Sequence, residues 1–154
     1  MKKTEILDEL RSAKAAHVNW MQRAKLLIEG LDISEDSIPV NSTECHFGKW
    51  FYSTAQKLNG LRNNSIEDMR KIEVLHSRLH ETYLNIFKIY YAEPNKSFFA
   101  KLFSLKKKIT QDDADMAAKY FVQIKSISDK LVDEISVLER RVAVISDEEL
   151  SELV

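Results

Sequence analysis

A chain of 154 residues has the length of one domain and can bury a core without covalent staples. Its 23 basic and 24 acidic residues nearly cancel, to a formal net charge of −1, which gives no ground for a nucleic-acid partner. Two prolines, three glycines and one cysteine argue against a turn-rich sheet fold and exclude an intramolecular disulfide.

From Ile6 the apolar residues step by four and three: Ile6, Leu10, Ala13, His17, Trp20, Ala24, Leu27, Leu31. That is one stripe of a long helix, and His17 lies on it, so its ring is expected to point inward. Gly30 and the polar run Asp32–Ser42, with Pro39, read as a loop. A shorter helix is expected over Cys45–Leu58, capped by Ser42 or Thr43, which puts Cys45 in its first turn. Asn59-Gly60 and Asn63-Asn64 mark a turn, and Ser65-Ile66-Glu67-Asp68 resembles a capping box opening a third helix to Tyr91. Its apolar side is read as Ile66, Met69, Ile72, Leu75, Leu79, Tyr83, Ile86, Phe87 and Tyr90.

Pro94 then interrupts the chain, and Phe98–Phe103 reads as a brief helix or packed connection; the conformation of 93–110 is left open. The lysines Lys106–Lys108 read as solvated surface. Thr110-Gln111-Asp112-Asp113 caps a last helix of roughly 35 residues, with its stripe at Ala117, Phe121, Ile124, Ser128, Leu131, Ile135, Leu138, Val142 and Ile145. An acidic, frayed tail is expected over 146–154. The expectation is a single all-α domain over 1–154, with its core at about 5–145. Its architecture is an antiparallel four-helix-bundle-like fold with a short second helix and a long C-terminal helix. That last helix is long enough to pair with another copy, and a two-fold homodimer is expected. No run approaches about 18 apolar residues, and Met1-Lys2-Lys3-Thr4-Glu5 is no signal-peptide core, so the expected place is the cytoplasm, away from membranes.

Four side chains carry chemistry. His76 and His80, four apart, project from one helix face beside Leu75 and Leu79. Each candidate has a blander reading alone: His17 as a hydrogen-bonded core histidine, Cys45 as an inert buried thiol, the pair as solvated surface. Taken together, one sulfur and three imidazoles suit tetrahedral zinc and offer no carboxylate for calcium or magnesium. At a helix N-terminus the dipole is expected to favour the Cys45 thiolate, the form that binds metal and meets oxidants. Gly48 is expected to let two helix backbones approach, Trp20 and Trp50 to wall the site, and Glu73 to accept an imidazole N–H. His46 points about 100° away from Cys45 around a helix and is left out.

The string Cys45-His46-Phe47-Gly48-Lys49-Trp50-Phe51, with His17-Val18-Asn19-Trp20 before it and His76-x-x-x-His80 after it, resembles the chemoreceptor zinc-binding (CZB) domain family. The resemblance spans about 5–145 and carries the family's zinc ligands onto His17, Cys45, His76 and His80. It implies an often dimeric helical bundle, found in bacterial chemoreceptors and some diguanylate cyclases as an input module, with Cys45 open to displacement or oxidation. Beside that family the chain is read as lacking a signalling hairpin and a cyclase segment, so its output is expected to pass to another protein, a bacterial partner of chemoreceptor or cyclase type, or to be absent. A sensory or regulatory module that is not an enzyme is the leading expectation. A constitutively zinc-stabilised interaction domain is the alternative, and a zinc hydrolase ranks below both, because four filled positions describe a closed site.

Overall fold

The computed structural model describes residues 2–61, 65–91 and 109–152. They form an all-helical bundle of three long helices, α1 (Lys3–Ile28), α3 (Ser65–Tyr90) and α4 (Gln111–Val144), with short helices α2 (His46–Phe51) and α5 (Asp147–Ser151). Short 3-10 segments at Glu35–Ser37 and Ala55–Gly60 complete it. The Asn63-Asn64 turn, Pro94, the Phe98–Phe103 segment and Lys106–Lys108 lie outside the described residues, as does the side chain of Ser65.

The α1 stripe is buried from Ile6 to Leu27, but Leu31 is 49 % exposed. The helix stops first: Gly30 takes φ +86°, a left-handed conformation that a side chain would strain, and this turns Leu31 off the seam. On α3, Ile66 likewise faces outward, while Met69, Ile72, Leu79, Tyr83 and Ile86 are buried. Near that end the buried position belongs to Asp68, whose carboxylate meets Arg141 Nε of α4 at 2.6 Å.

α4 opens on the capping box read from the sequence, Asp113 N–H donating to Thr110 Oγ1 and Thr110 N–H to Asp113 Oδ2, both at 3.1 Å. Its stripe runs buried from Ala117 to Ile145, with Phe121 partly covered, and packs along both α1 and α3. Glu139 adds a polar clasp to α1, pairing with Arg11 and Lys14. Within the stretch expected to fray, Asp147–Ser151 instead form the helix α5. Ser146 caps it by accepting from Glu149 N–H at 3.1 Å, and Leu150 is buried against the bundle.

The second helix also differs from expectation. It is one and a half turns rather than four, and Cys45 is itself the N-cap residue, its sulfur accepting from Gly48 N–H at 3.2 Å. A sulfur fills the role usually taken by a Ser or Asp oxygen, so Ser42 and Thr43 lie outside the helix.

Candidate metal centre

Three segments converge beside α2. α1 brings His17, α3 brings His76 and His80 on one face, and the cap of α2 brings Cys45. The histidines are 4 %, 0 % and 3 % exposed, too buried for solvated surface. Among the described residues, ligand atoms of His17, His76 and His80 lie within 4.8 Å of one another. Cys45 falls outside that mutually close set but stands at its edge, its sulfur 3.3 Å from His76 Nε2.

The hydrogen bonds fix which lone pairs face inward. His17 Nδ1 lies 2.7 Å from the Ala13 carbonyl, and His80 Nδ1 lies 3.0 and 3.1 Å from the carbonyls of Pro39 and Val40. A carbonyl only accepts, so in each neutral ring Nδ1 carries the proton and Nε2 presents a bare lone pair. His80 Nε2 points that lone pair at His76 Nε2, 3.2 Å away, and His76 Nε2 also meets the sulfur. His76 Nδ1 is buried with no hydrogen-bond partner among the described residues.

A cation suits this donor set. A tetrahedron with zinc–nitrogen bonds of ~2.0–2.1 Å sets its nitrogens about 3.3–3.4 Å apart, and a sulfur at ~2.3 Å lies about 3.6 Å from each. The observed 3.2 Å nitrogen–nitrogen and 3.3 Å sulfur–nitrogen separations are close to those edges. Imidazoles whose far N–H is held by a carbonyl are also the usual form of metal-binding histidine, and His17 and His80 both have it.

Burial drives the electrostatics. Desolvation lowers all three histidines, with the neighbouring imidazoles adding to it at His76 and His80, so that His76 is held down at about 2 and His80 at about 4. The rings are therefore neutral and ready to donate lone pairs at neutral pH. Cys45 departs from expectation: burial pushes its thiol up, outweighing the N–H groups of Gly48 and Phe47 and the charge of Lys49 that favour the thiolate. Without a metal the sulfur keeps its proton, and metal binding has to release it.

The surrounding residues divide sharply. Trp20 covers His80, ring centroids 5.6 Å apart, and packs on Tyr83 at 4.9 Å. Trp50 stacks behind Phe47 at 6.0 Å, and it is Phe47 that meets the site edge-on, 5.5 Å from His17 and 5.0 Å from His76. Gly48 is needed for a close approach, but to the preceding turn rather than a second helix. A Cβ there would collide with the Ser42 carbonyl and lie 3.3 Å from the Cys45 sulfur. Glu73 is exposed and lines a depression with Phe51, Gln56 and Arg70, leaving His76 Nδ1 unserved. His46 is exposed, 3.8 Å from Glu9. Phe47 and the carbonyls of Ala13, Pro39 and Val40 are the site groups that the sequence reading missed; only Phe47, two residues after the cysteine, carried a signal.

Residues 17–87 match the family model described as the chemoreceptor zinc-binding domain, and all four converging side chains fall within them. No curated protein and no solved structure gives a significant match. Among the described residues no helix is long and apolar enough to cross a membrane.

Proposed function

With residues 17–87 matching the chemoreceptor zinc-binding domain, we propose that the chain is a zinc-binding sensory or regulatory module whose ligands are His17, Cys45, His76 and His80. The observation that carries this reading is the set of facing lone pairs. His17 and His80 have their outer nitrogens committed to carbonyls, which leaves their inner nitrogens as bare lone pairs beside His76 and the Cys45 thiol, more acceptors than the protons of that ring and that thiol can serve. Bound there, zinc would supply positive charge to those lone pairs and hold the thiolate.

The three histidines are anchored in long helices, whereas Cys45 sits at the end of a short one and outside the mutually close set, which makes it the ligand to lose. The proposed signal is zinc availability or oxidation of Cys45, and the proposed output is a changed position of α2 against α1 and α3, read by a bacterial partner of chemoreceptor or cyclase type. Two-fold self-association and a cytoplasmic setting belong to the same proposal. The proposed mode of action is binding rather than catalysis: the matched family is a zinc-binding one, and in the proposed ligand set sulfur takes the fourth position.

Metal analysis of the purified protein is the test. About one zinc per chain is expected in the wild type, a weakened site in Cys45→Ala and none in His76→Ala. A wild type that holds no more zinc than His76→Ala would end this reading. The complete burial of His76 favours a second reading, a purely structural zinc. Partner capture that does not change between zinc-loaded, chelated and oxidised protein would select it.

A further inference from the structure

Beside the metal centre a cleft of about 300 Å³ opens to solvent between α1, the Ser37–Pro39 turn and the start of α2. His17, Cys45 and His80 of the metal centre line it, together with the apolar side chains of Trp20, Phe47 and Pro39. α1 supplies Asn19 and Arg23, four apart and therefore on one face, and Ser37 and His46 add polar groups from the turn and from α2. Among the described residues that line the cleft, Arg23 is the one lysine, arginine or carboxylate residue, so a cation lines it without a lining acid. A single guanidinium N–H is spent on the turn, Arg23 Nη1 donating to the Ser37 carbonyl at 2.8 Å, and this fixes the side chain while leaving further donors.

The geometry points to a binding site for a small organic anion, a carboxylate with an aromatic or aliphatic body. The carboxylate would sit on Arg23 and Asn19, and the body would lie between Trp20, Phe47 and Pro39 against the flank of Cys45 and His80. The cleft is at the lower end of the size range of small-molecule sites and has their usual make-up, apolar walls with a few directional polar groups. From His17 to Arg23 is six residues of helix, about 9 Å along the axis, so a molecule the length of benzoate spans from Arg23 towards the ligands. This inference rests on the metal reading for its consequence. An occupant touching two zinc ligands binds the loaded and empty forms differently, and by linkage zinc and anion change each other's affinity by one factor.

Sodium benzoate is the probe and benzamide the uncharged control, titrated into the full chain with and without zinc. Trp20 fluorescence is followed in Trp50→Phe, and heat of binding in the wild type. Saturable benzoate binding is expected, at least tenfold weaker in Arg23→Gln, absent for benzamide, and shifted severalfold by zinc, with chelator competition showing the reciprocal shift. Zinc binding with no saturable benzoate signal, or Arg23→Gln titrating as the wild type does, overturns the anion site and leaves the metal reading standing. Benzoate binding by a protein that takes up no zinc overturns the metal reading, and the coupling falls with it.

Discussion

The two sides of α1 and α3 are filled by different kinds of chemistry. Where each helix meets α4 the seam is aliphatic, with Leu10, Ala13, Ile72, Ile124, Leu131 and Leu138 buried and polar clasps at Asp68–Arg141 and Glu139–Lys14. Where α1 and α3 face each other their backbones barely approach, and rings fill the space: His17, His76, His80, Trp20 and Phe47. The first side is complete as it stands. The second has facing lone pairs and an unserved buried nitrogen, which is a poor way to build a core and a good way to hold a cation. The contrast assigns stability to the α4 seams and, under the proposed function, metal response to the ring-filled layer.

Cutting the aliphatic side should cost most. Leu131→Ala is expected to lose about 2–5 kcal/mol, equally with and without zinc, in urea denaturation. If zinc restores that loss, the two sides are not separate.

Acid should find the ring-filled side next. The folded-state pKa of His80, about 4, lies below the ordinary 6.5, so the unfolded chain binds the proton more readily. Stability of the metal-free protein is therefore complete above pH 6.5 and falls as pH drops towards 4. The cost is about 1.4 kcal/mol per pH unit for each buried histidine still neutral, on the order of 3 kcal/mol for His80 by the end of that window. His76, held at about 2, continues the loss below it. His80→Gln should flatten the slope; an unchanged slope would mean that the histidines are not what acid attacks.

Zinc should act on the same side with the opposite sign. A hundredfold excess over Kd stabilises by about 2.7 kcal/mol, seen as a raised Tm that His76→Ala abolishes. Gly48→Ala, which sets a methyl group against the Ser42 carbonyl, is expected to cost about 1–3 kcal/mol and to weaken zinc as well, because the same turn carries Cys45. Glu139→Gln on the aliphatic side is the mildest change, below about 1 kcal/mol and fading further in salt. A larger effect on zinc affinity than on stability would contradict the division.

Much of this was legible in the residues. The four-three spacing of α1 and α4 gave their buried faces, because a long amphipathic helix has one way to bury its stripe. The convergence of His17, Cys45, His76 and His80 could be anticipated from one histidine on a seam and two on one face. Ends were harder to read. Leu31 and Ile66 continue their stripes in sequence, yet the chain has turned at Gly30 in one case and Asp68 holds the buried position in the other. The second helix ends earlier than its apolar pattern suggests, because the chain leaves the helix at Tyr52 and turns into the 3-10 segment Ala55–Gly60, and its cap is a sulfur, which is not a familiar start signal. Spacing alone points to Glu73 as a partner for an imidazole, while the partners of His17 and His80 are main-chain carbonyls, which every residue has and no sequence pattern marks.

Main-chain acceptors also govern how the loop before α2 can change over time. His80 is steadied by the oxygens of Pro39 and Val40, Tyr91 reaches the oxygen of Ile33, and Arg23 reaches that of Ser37. None of these acceptors depends on which side chain occupies its position. Exposed positions of that stretch can change while the imidazole keeps its tautomer, although Ile38 is held in the core, whereas an insertion or deletion of one residue would shift every acceptor at once.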